Sequence, residues 1–402
     1  MNAAETSMPP IAAARQGQDR LRAPHHVAPP AAAAAATGTA VAPLGAESAP
    51  RSSSAGQAPT SPEPAAVVAL RPGEFELCGY GIATAGSQAA EELERAANAN
   101  SDEILFKHLS LMRNSADPPT RAAGLMGLHD YAPLVDMALH TSDATVYALA
   151  LAACATGGPI AGTNQSCLML SAERAAQLDP DNAAAWVDLA AAAQQRHETD
   201  AVAAAIYRAS VATQVQGRSQ MFAALALAAL PAHLPPPERT SVVVRLIGIQ
   251  AGLLGTDYRS VVTYCSAVGM TDSNRRQTCE ALAELLVARG TTVVDLAIGR
   301  SIGARAGWPA ERVEQLSARV EAYMWAPFNE FFAAPRGPMS CASMRRTEQW
   351  WSAPAGKGQR AYAEEAVARA GLSDADLVAR YREQLRHRAQ AAAAASAASA
   401  LR

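Results

Sequence analysis

Residues 178–210 read LDPDNAAAWVDLAAAAQQRHETDAVAAAIYRAS, and the two alanine-rich runs in this stretch set the character of the chain. Alanine is the strongest helix former and loses little side-chain entropy on ordering, so both runs read as helices that follow a turn at Pro180 and Asn182. The rest of the sequence shares the bias. Of 402 residues, 50% are hydrophobic but only 5% aromatic, so alanine inflates the apolar count. Alanine buries little area, which implies a thin, extended core and close helix–helix packing rather than a broad sheet. The length suffices for two or three average domains.

The quoted segment resembles a tetratricopeptide repeat, a 34-residue unit of two antiparallel helices in which large residues fit against small ones. On that resemblance Pro180 and Asn182 occupy the inter-repeat turn, Trp186 and Leu189 the anchors of the first helix, and Ala190 the small position beside them. Ile206 and Ala209 take the matching places in the second helix, and Ala172 and Ala175 precede them by one repeat length. The match departs at Ala193, where an aromatic is usual, and at Val202, where alanine is common. It covers residues 172–210. The resemblance implies a binding role, because such stacks present a groove to a peptide or partner protein. One unit cannot bury both of its faces, so neighbouring helices are expected to continue the stack.

Outward from this segment the pattern stays helical. Ser101 is expected to cap a helix carrying Leu105, His108, Leu109 and Met112 on one face. Pro235–Pro237 precede a helix with Val242, Leu246, Ile249 and Leu253 aligned. Ser273 opens the next, with Cys279, Leu282 and Leu286 aligned and Gly290 as its stop. Pro309 stands at a first-turn position before Val313, Leu316, Val320 and Tyr323. Ser373 with Asp376 forms a capping box, flanked by Leu372 and Leu377 as a staple. The expected class is therefore all-α: stacked antiparallel helical hairpins, an α-solenoid of tetratricopeptide type, over residues 73–388. Residues 1–72 are Ala, Pro, Ser and Gly without periodicity and read as a disordered leader. Residues 389–402 form an alanine-rich tail that either extends the last helix or frays.

The net charge of −3 gives no reason to expect nucleic acid as a partner. Lys107 and Lys357 are the only lysines, so arginine carries the positive charge. No window has the length and apolarity of a transmembrane helix. The opening residues do not form a signal peptide, which taken literally places the protein in the cytoplasm. The six cysteines point the other way. Cys154 and Cys167 flank TGGPIAGT, Cys265 and Cys279 flank AVGMTD, and each pair lies near the neck of an expected hairpin, within disulfide reach. Cys78 and Cys341 are left to tie the start of the fold to its far part. Pairing would place the protein in a periplasmic or other extracytoplasmic compartment. No CxxC occurs and no histidine lies near these cysteines at ligand spacing, so neither metal nor cofactor is expected.

Two stretches suggest chemistry. Gly299-Arg-Ser301-Ile-Gly303 fits the G-x-S-x-G nucleophile elbow, with Asp374 and His387 following in the order of a hydrolase triad. The same residues also read as a helix started by Thr292 and Asp295. Gly79, Gly81 and Gly86 resemble a nucleotide loop in spacing, but a tight turn explains them better. His129, beside Asp130, marks a turn between helices. In RRTEQWWSAPAGKG, Arg345, Arg346, Trp350 and Trp351 combine charge with aromatic surface. This is the expected partner-binding patch. The sequence leaves the partner and the oligomeric state open, and the function expected from it is non-catalytic protein or peptide binding.

Overall fold

The computed structural model describes residues 70–156, 165–217, 221–253, 255–332, 334, 336–352 and 358–400. The leader expected over 1–72 lies outside these apart from its last three residues, as does the TGGPIAGT loop apart from Thr156. An antiparallel hairpin opens the described chain: β1 (Glu74–Leu77) pairs with β2 (Gly81–Thr84), Glu74 opposite Thr84 and Leu77 opposite Gly81. Helix begins at Gln88, because residues 81–84 pair back on β1 first. Gly79 turns the hairpin at φ +81°, and a Cβ there would lie 2.3 Å from the Pro237 nitrogen. Only glycine fits, and the reason is a tight turn rather than a phosphate cradle.

Helices follow throughout. The first group is α1 (Gln88–Ala99), α2 (Ser101–Arg113), α3 (Pro118–Gly127), α4 (Tyr131–Leu139), α5 (Ala144–Thr156) and α6 (Ala172–Leu178). Next come α7 (Ala183–Gln195), α8 (Thr199–Ser210), α9 (Met221–Ala228), α10 (Pro236–Gly252), α11 (Arg259–Tyr264) and α12 (Ser273–Arg289). The last are α13 (Val293–Ala306), α14 (Ala310–Phe332), α15 (Cys341–Trp351), α16 (Gly358–Arg369) and α17 (Asp374–Ala400). The hairpin is the only sheet among the described residues, and the fold is all-α. The alanine-rich tail continues α17 as far as Ala400.

Two expected helix starts move by one residue, and at the first no side chain caps the helix. Asn100 rather than Ser101 precedes α2, and the Ser101 hydroxyl is taken by Arg245. Asp272 rather than Ser273 caps α12, accepting from the Arg275 amide at 2.8 Å. The expected box at Ser373 forms, and a second acidic capping box forms at the expected helix start, Thr292. The Thr292 amide donates to Asp295 (2.8 Å) and the Asp295 amide to Thr292 Oγ1 (3.0 Å). Ser373 and Asp376 do the same at 2.9 and 3.2 Å. His129 stands at φ 56° between α3 and α4, in the expected turn.

The quoted hairpin is α7 packed on α8. Ala190, Ile206 and Ala209 are fully buried, and half-buried Trp186 donates its indole N–H to the Pro180 carbonyl at 2.8 Å. Asn182 secures the turn, accepting from the Ala184 amide and donating to the Gln216 carbonyl, at 3.1 and 3.0 Å. The helices beyond this pair do not stack in chain order. Two hydrophobic cores form, and successive stretches serve them alternately. The first gathers Leu109, Leu134, Leu149, Phe222, Leu246 and Met344. The second gathers Val187, Ile206, Leu282, Ile302, Trp308 and Leu377. Thus α10 returns to pack on α2, and α9 on α3, after α7 and α8 have joined the other core. In a linear array each unit meets only its neighbours. Here the chain repeatedly crosses back.

All three disulfides form: Cys154–Cys167, Cys265–Cys279 and Cys78–Cys341. The last joins the end of β1 to the first residue of α15. Beside it the Glu76 amide donates to the Arg336 carbonyl and the Cys78 amide to the Met339 carbonyl, each at 2.9 Å. Arg336 adds an ion pair to Glu76 at 2.7 Å. The segment before α15 is thereby laid along the opening hairpin.

Candidate functional site

The expected patch lies on α15, and α15 is firmly seated. Arg239 of α10 grips Glu348 with both arms of its guanidinium, the Nε–Oε2 bond being 2.8 Å, and donates Nη1 to the Pro231 carbonyl at 3.0 Å. A bidentate, partly buried pair of this kind fixes orientation as well as position. Ser340 caps the helix, accepting from the Ser343 amide at 3.4 Å.

From this base the four expected residues divide. Residues four apart share a helix face, so Arg346 and Trp350 point together into a groove between α15 and α16, about 250 Å³ in volume. Trp351 instead packs against the first core. Arg345 turns back, donating to the Cys341 carbonyl of its own helix at 3.3 Å. Lys357 lies outside the described residues. The opposite wall comes from residues that the sequence reading missed. Tyr362 of α16 stacks on Trp350, ring centroids 4.5 Å apart and planes 22° from parallel. Arg369, one further double turn along, lies 5.5 Å over the Tyr362 ring and pairs with Glu365 at 3.6 Å. The signal was present as the i, i+7 spacing of Tyr362 and Arg369, which mirrors the i, i+4 spacing of Arg346 and Trp350. What a single sequence lacked was the angle at which the two helices meet.

The groove therefore presents a stacked aromatic pair, half-buried and open on one side, between two arginines and a carboxylate. Aromatic faces and guanidinium planes bind by area and by directed hydrogen bonds. Among the described residues no group of three or more His, Cys, Asp or Glu side chains could hold a metal ion.

The hydrolase constellation is not assembled. An elbow needs a strand, a sharp turn and a helix, whereas Ser301 stands inside the continuous helix α13. Asp374 is engaged by Arg319, at 2.7 Å from its Nη2, and exposed His387 faces Glu383 at 3.7 Å on the same helix. The two glycines of the motif serve packing. A Cβ on Gly299 would meet the Ala283 carbonyl at 2.9 Å, and one on Gly303 would meet Trp308 Cε3 at 2.1 Å.

No family model, characterised protein or solved structure matches the chain. The groove must be read from its own chemistry. Among the described residues no helix is long and apolar enough to cross a membrane.

Proposed function

We propose that this chain is a non-catalytic scaffold of helical hairpins that binds a protein or peptide partner, with the α15–α16 groove as its principal contact. The observation that carries this reading is the Trp350–Tyr362 stack held open beside Arg346 and Arg369. Tryptophan, tyrosine and arginine dominate the energetics of protein interfaces, where a half-open aromatic platform supplies area at low entropic cost. The aromatic faces favour an apolar or aromatic residue in the bound segment. The α7–α8 hairpin, with its resemblance to a tetratricopeptide unit, is a second surface of the same kind. The three disulfides support an oxidising, extracytoplasmic compartment. They also favour a second reading, a structural component of an envelope assembly, in which the same groove makes a permanent rather than a transient contact.

A photo-crosslinking amino acid at Gln349, inside the groove, tests the proposal in the native host. A discrete adduct is expected there and not from the same group at exposed Val294. Trp350→Ala should abolish the adduct, weakening binding by at least about 2 kcal/mol. Equal labelling at both positions, or an adduct indifferent to Trp350→Ala, would refute the assignment.

A further inference from the structure

A second cavity, sharing no lining residue with the α15–α16 groove, lies where the opening hairpin, α1, α2 and α10 converge. It measures about 190 Å³. Its walls are apolar: Phe75 and Leu77 from β1, Val244 from α10 and Met339 from the segment before α15. Two of these walls, β1 and the Met339 segment, are fastened together by the Cys78–Cys341 disulfide and the Cys78–Met339 backbone bond, so the space does not depend on a closing motion.

Beside Glu94, Asn98 and Arg245, the polar lining consists of three hydroxyls, and these are not equivalent. Ser101 donates to the Asn98 carbonyl at 3.1 Å and accepts from Arg245 Nε and Nη2 at 3.0 and 2.8 Å. Ser241 donates to the Ala97 carbonyl at 3.2 Å and stands 2.9 Å from the Tyr80 hydroxyl. Thr240 is different. It is 4% exposed, lines the cavity, and its hydroxyl makes no hydrogen bond to any described residue. A helical threonine ordinarily bonds back to a carbonyl one turn earlier, as Thr263 does to Arg259 at 2.9 Å. The Thr240 oxygen is not one of the fully enclosed, unpartnered side-chain atoms, so it opens onto the cavity, where a bound group can reach it.

We infer that this cavity binds a small uncharged molecule: a single ring or its aliphatic equivalent, carrying one hydroxyl or amide group that pairs with Thr240. The volume sets the size, since cavities of roughly 150 Å³ already admit a benzene ring. The charges set the class. Arg245 is already committed to Ser101 and to Asp102, at 3.1 Å, so it does not select an anion. The one carboxylate on the lining, Glu94, stands exposed at the mouth, and the interior offers a cation no counter-charge. A neutral ring against Phe75, Leu77, Val244 and Met339, with its polar group on Thr240, matches the apolar walls and the unpartnered hydroxyl.

Benzyl alcohol and toluene, matched in size and differing in the hydroxyl, are the probes. Each is titrated into the full chain while the Met339 methyl resonance, assigned from Met339→Leu, is followed. Benzyl alcohol is expected to shift that methyl saturably and to bind about tenfold more tightly than toluene. Thr240→Val, which keeps the shape and removes the hydroxyl, should erase the preference while leaving toluene binding unchanged. Val244→Trp, which fills the cavity from its mouth, should abolish both, with an unaltered circular dichroism spectrum and melting temperature showing that the fold is intact. Equal binding of the two probes to the wild type would reduce the cavity to an apolar void. The absence of any saturable shift would overturn the site altogether.

Discussion

Gly303 shows how an apparent catalytic motif can be a packing requirement. The helix-terminal Gly307, at φ +94°, turns the chain so that Trp308 folds back over α13 and lies against Gly303. Trp308 is sandwiched there with the Arg312 guanidinium 3.7 Å from its ring centroid. A methyl group at 303 has nowhere to go without moving the indole, and overpacking a formed core costs about 1–3 kcal/mol. Gly303→Ala should therefore lower stability by that amount in urea denaturation. Ser301→Ala should change it by less than about 0.5 kcal/mol, because Ser301 carries no packing or bonding load of that kind. If the two substitutions cost the same, the packing account of the motif fails.

At the scale of elements, His108 joins α2 to α9. It is buried, and its Nε2 lies 2.9 Å from the Ala226 carbonyl. Burial holds its pKa below the ordinary 6.5, the carbonyl only partly opposing this. The native state thus refuses a proton that the unfolded chain accepts. The neutral ring's contribution is complete well above pH 6.5 and is lost as the pH falls below it. His108→Gln, which can still donate to Ala226, should flatten the decline in urea midpoint between about pH 7.5 and 5.5; an unchanged decline would place the sensitivity elsewhere. Elements of this kind were largely legible in the sequence, because caps, capping boxes and stop signals act over three or four residues. Pro236, Asp295, Gly290 and Asp376 each declare themselves locally. Ser101 and Asp272 show the limit: Asp272 caps where Ser273 was expected, and the Ser101 hydroxyl is bonded by Arg245, 144 residues away, instead of capping α2.

For the whole molecule, the cysteine pairing was legible from hairpin necks, but the alternation of the chain between two cores was not. Alanine faces are nearly interchangeable, so the sequence does not say that α10 meets α2 rather than its chain neighbours. The same ignorance hid both sites: one pairs Trp350 with Tyr362 across a helix junction, the other gathers residues from 75 to 339. The long disulfide is where this topology meets energetics. Cys78–Cys341 spans 263 residues, against 13 for Cys154–Cys167. By the chain-entropy argument the long ring contributes about 5–6 kcal/mol and the short one about 3. Replacing Cys78 and Cys341 by alanine should therefore lower the unfolding free energy more than replacing Cys154 and Cys167. A loss no larger than that of the short pair would show that ring length does not set the stabilisation.

That long closure also bears on the order of synthesis. A chain made at roughly 5–20 residues per second leaves Cys78 waiting on the order of ten to fifty seconds before Cys341 exists. During that interval Cys154 and Cys167 both come within its reach. Strictly sequential oxidation would join 78 to 154, 167 to 265 and 279 to 341, and not one of those bonds is native. The native pattern instead nests two short loops inside one long one. A native yield therefore requires that the short loops close first and remove their thiols from competition, or that a disulfide isomerase correct the result, and the bond that ties down the opening hairpin cannot form before Cys341 is made.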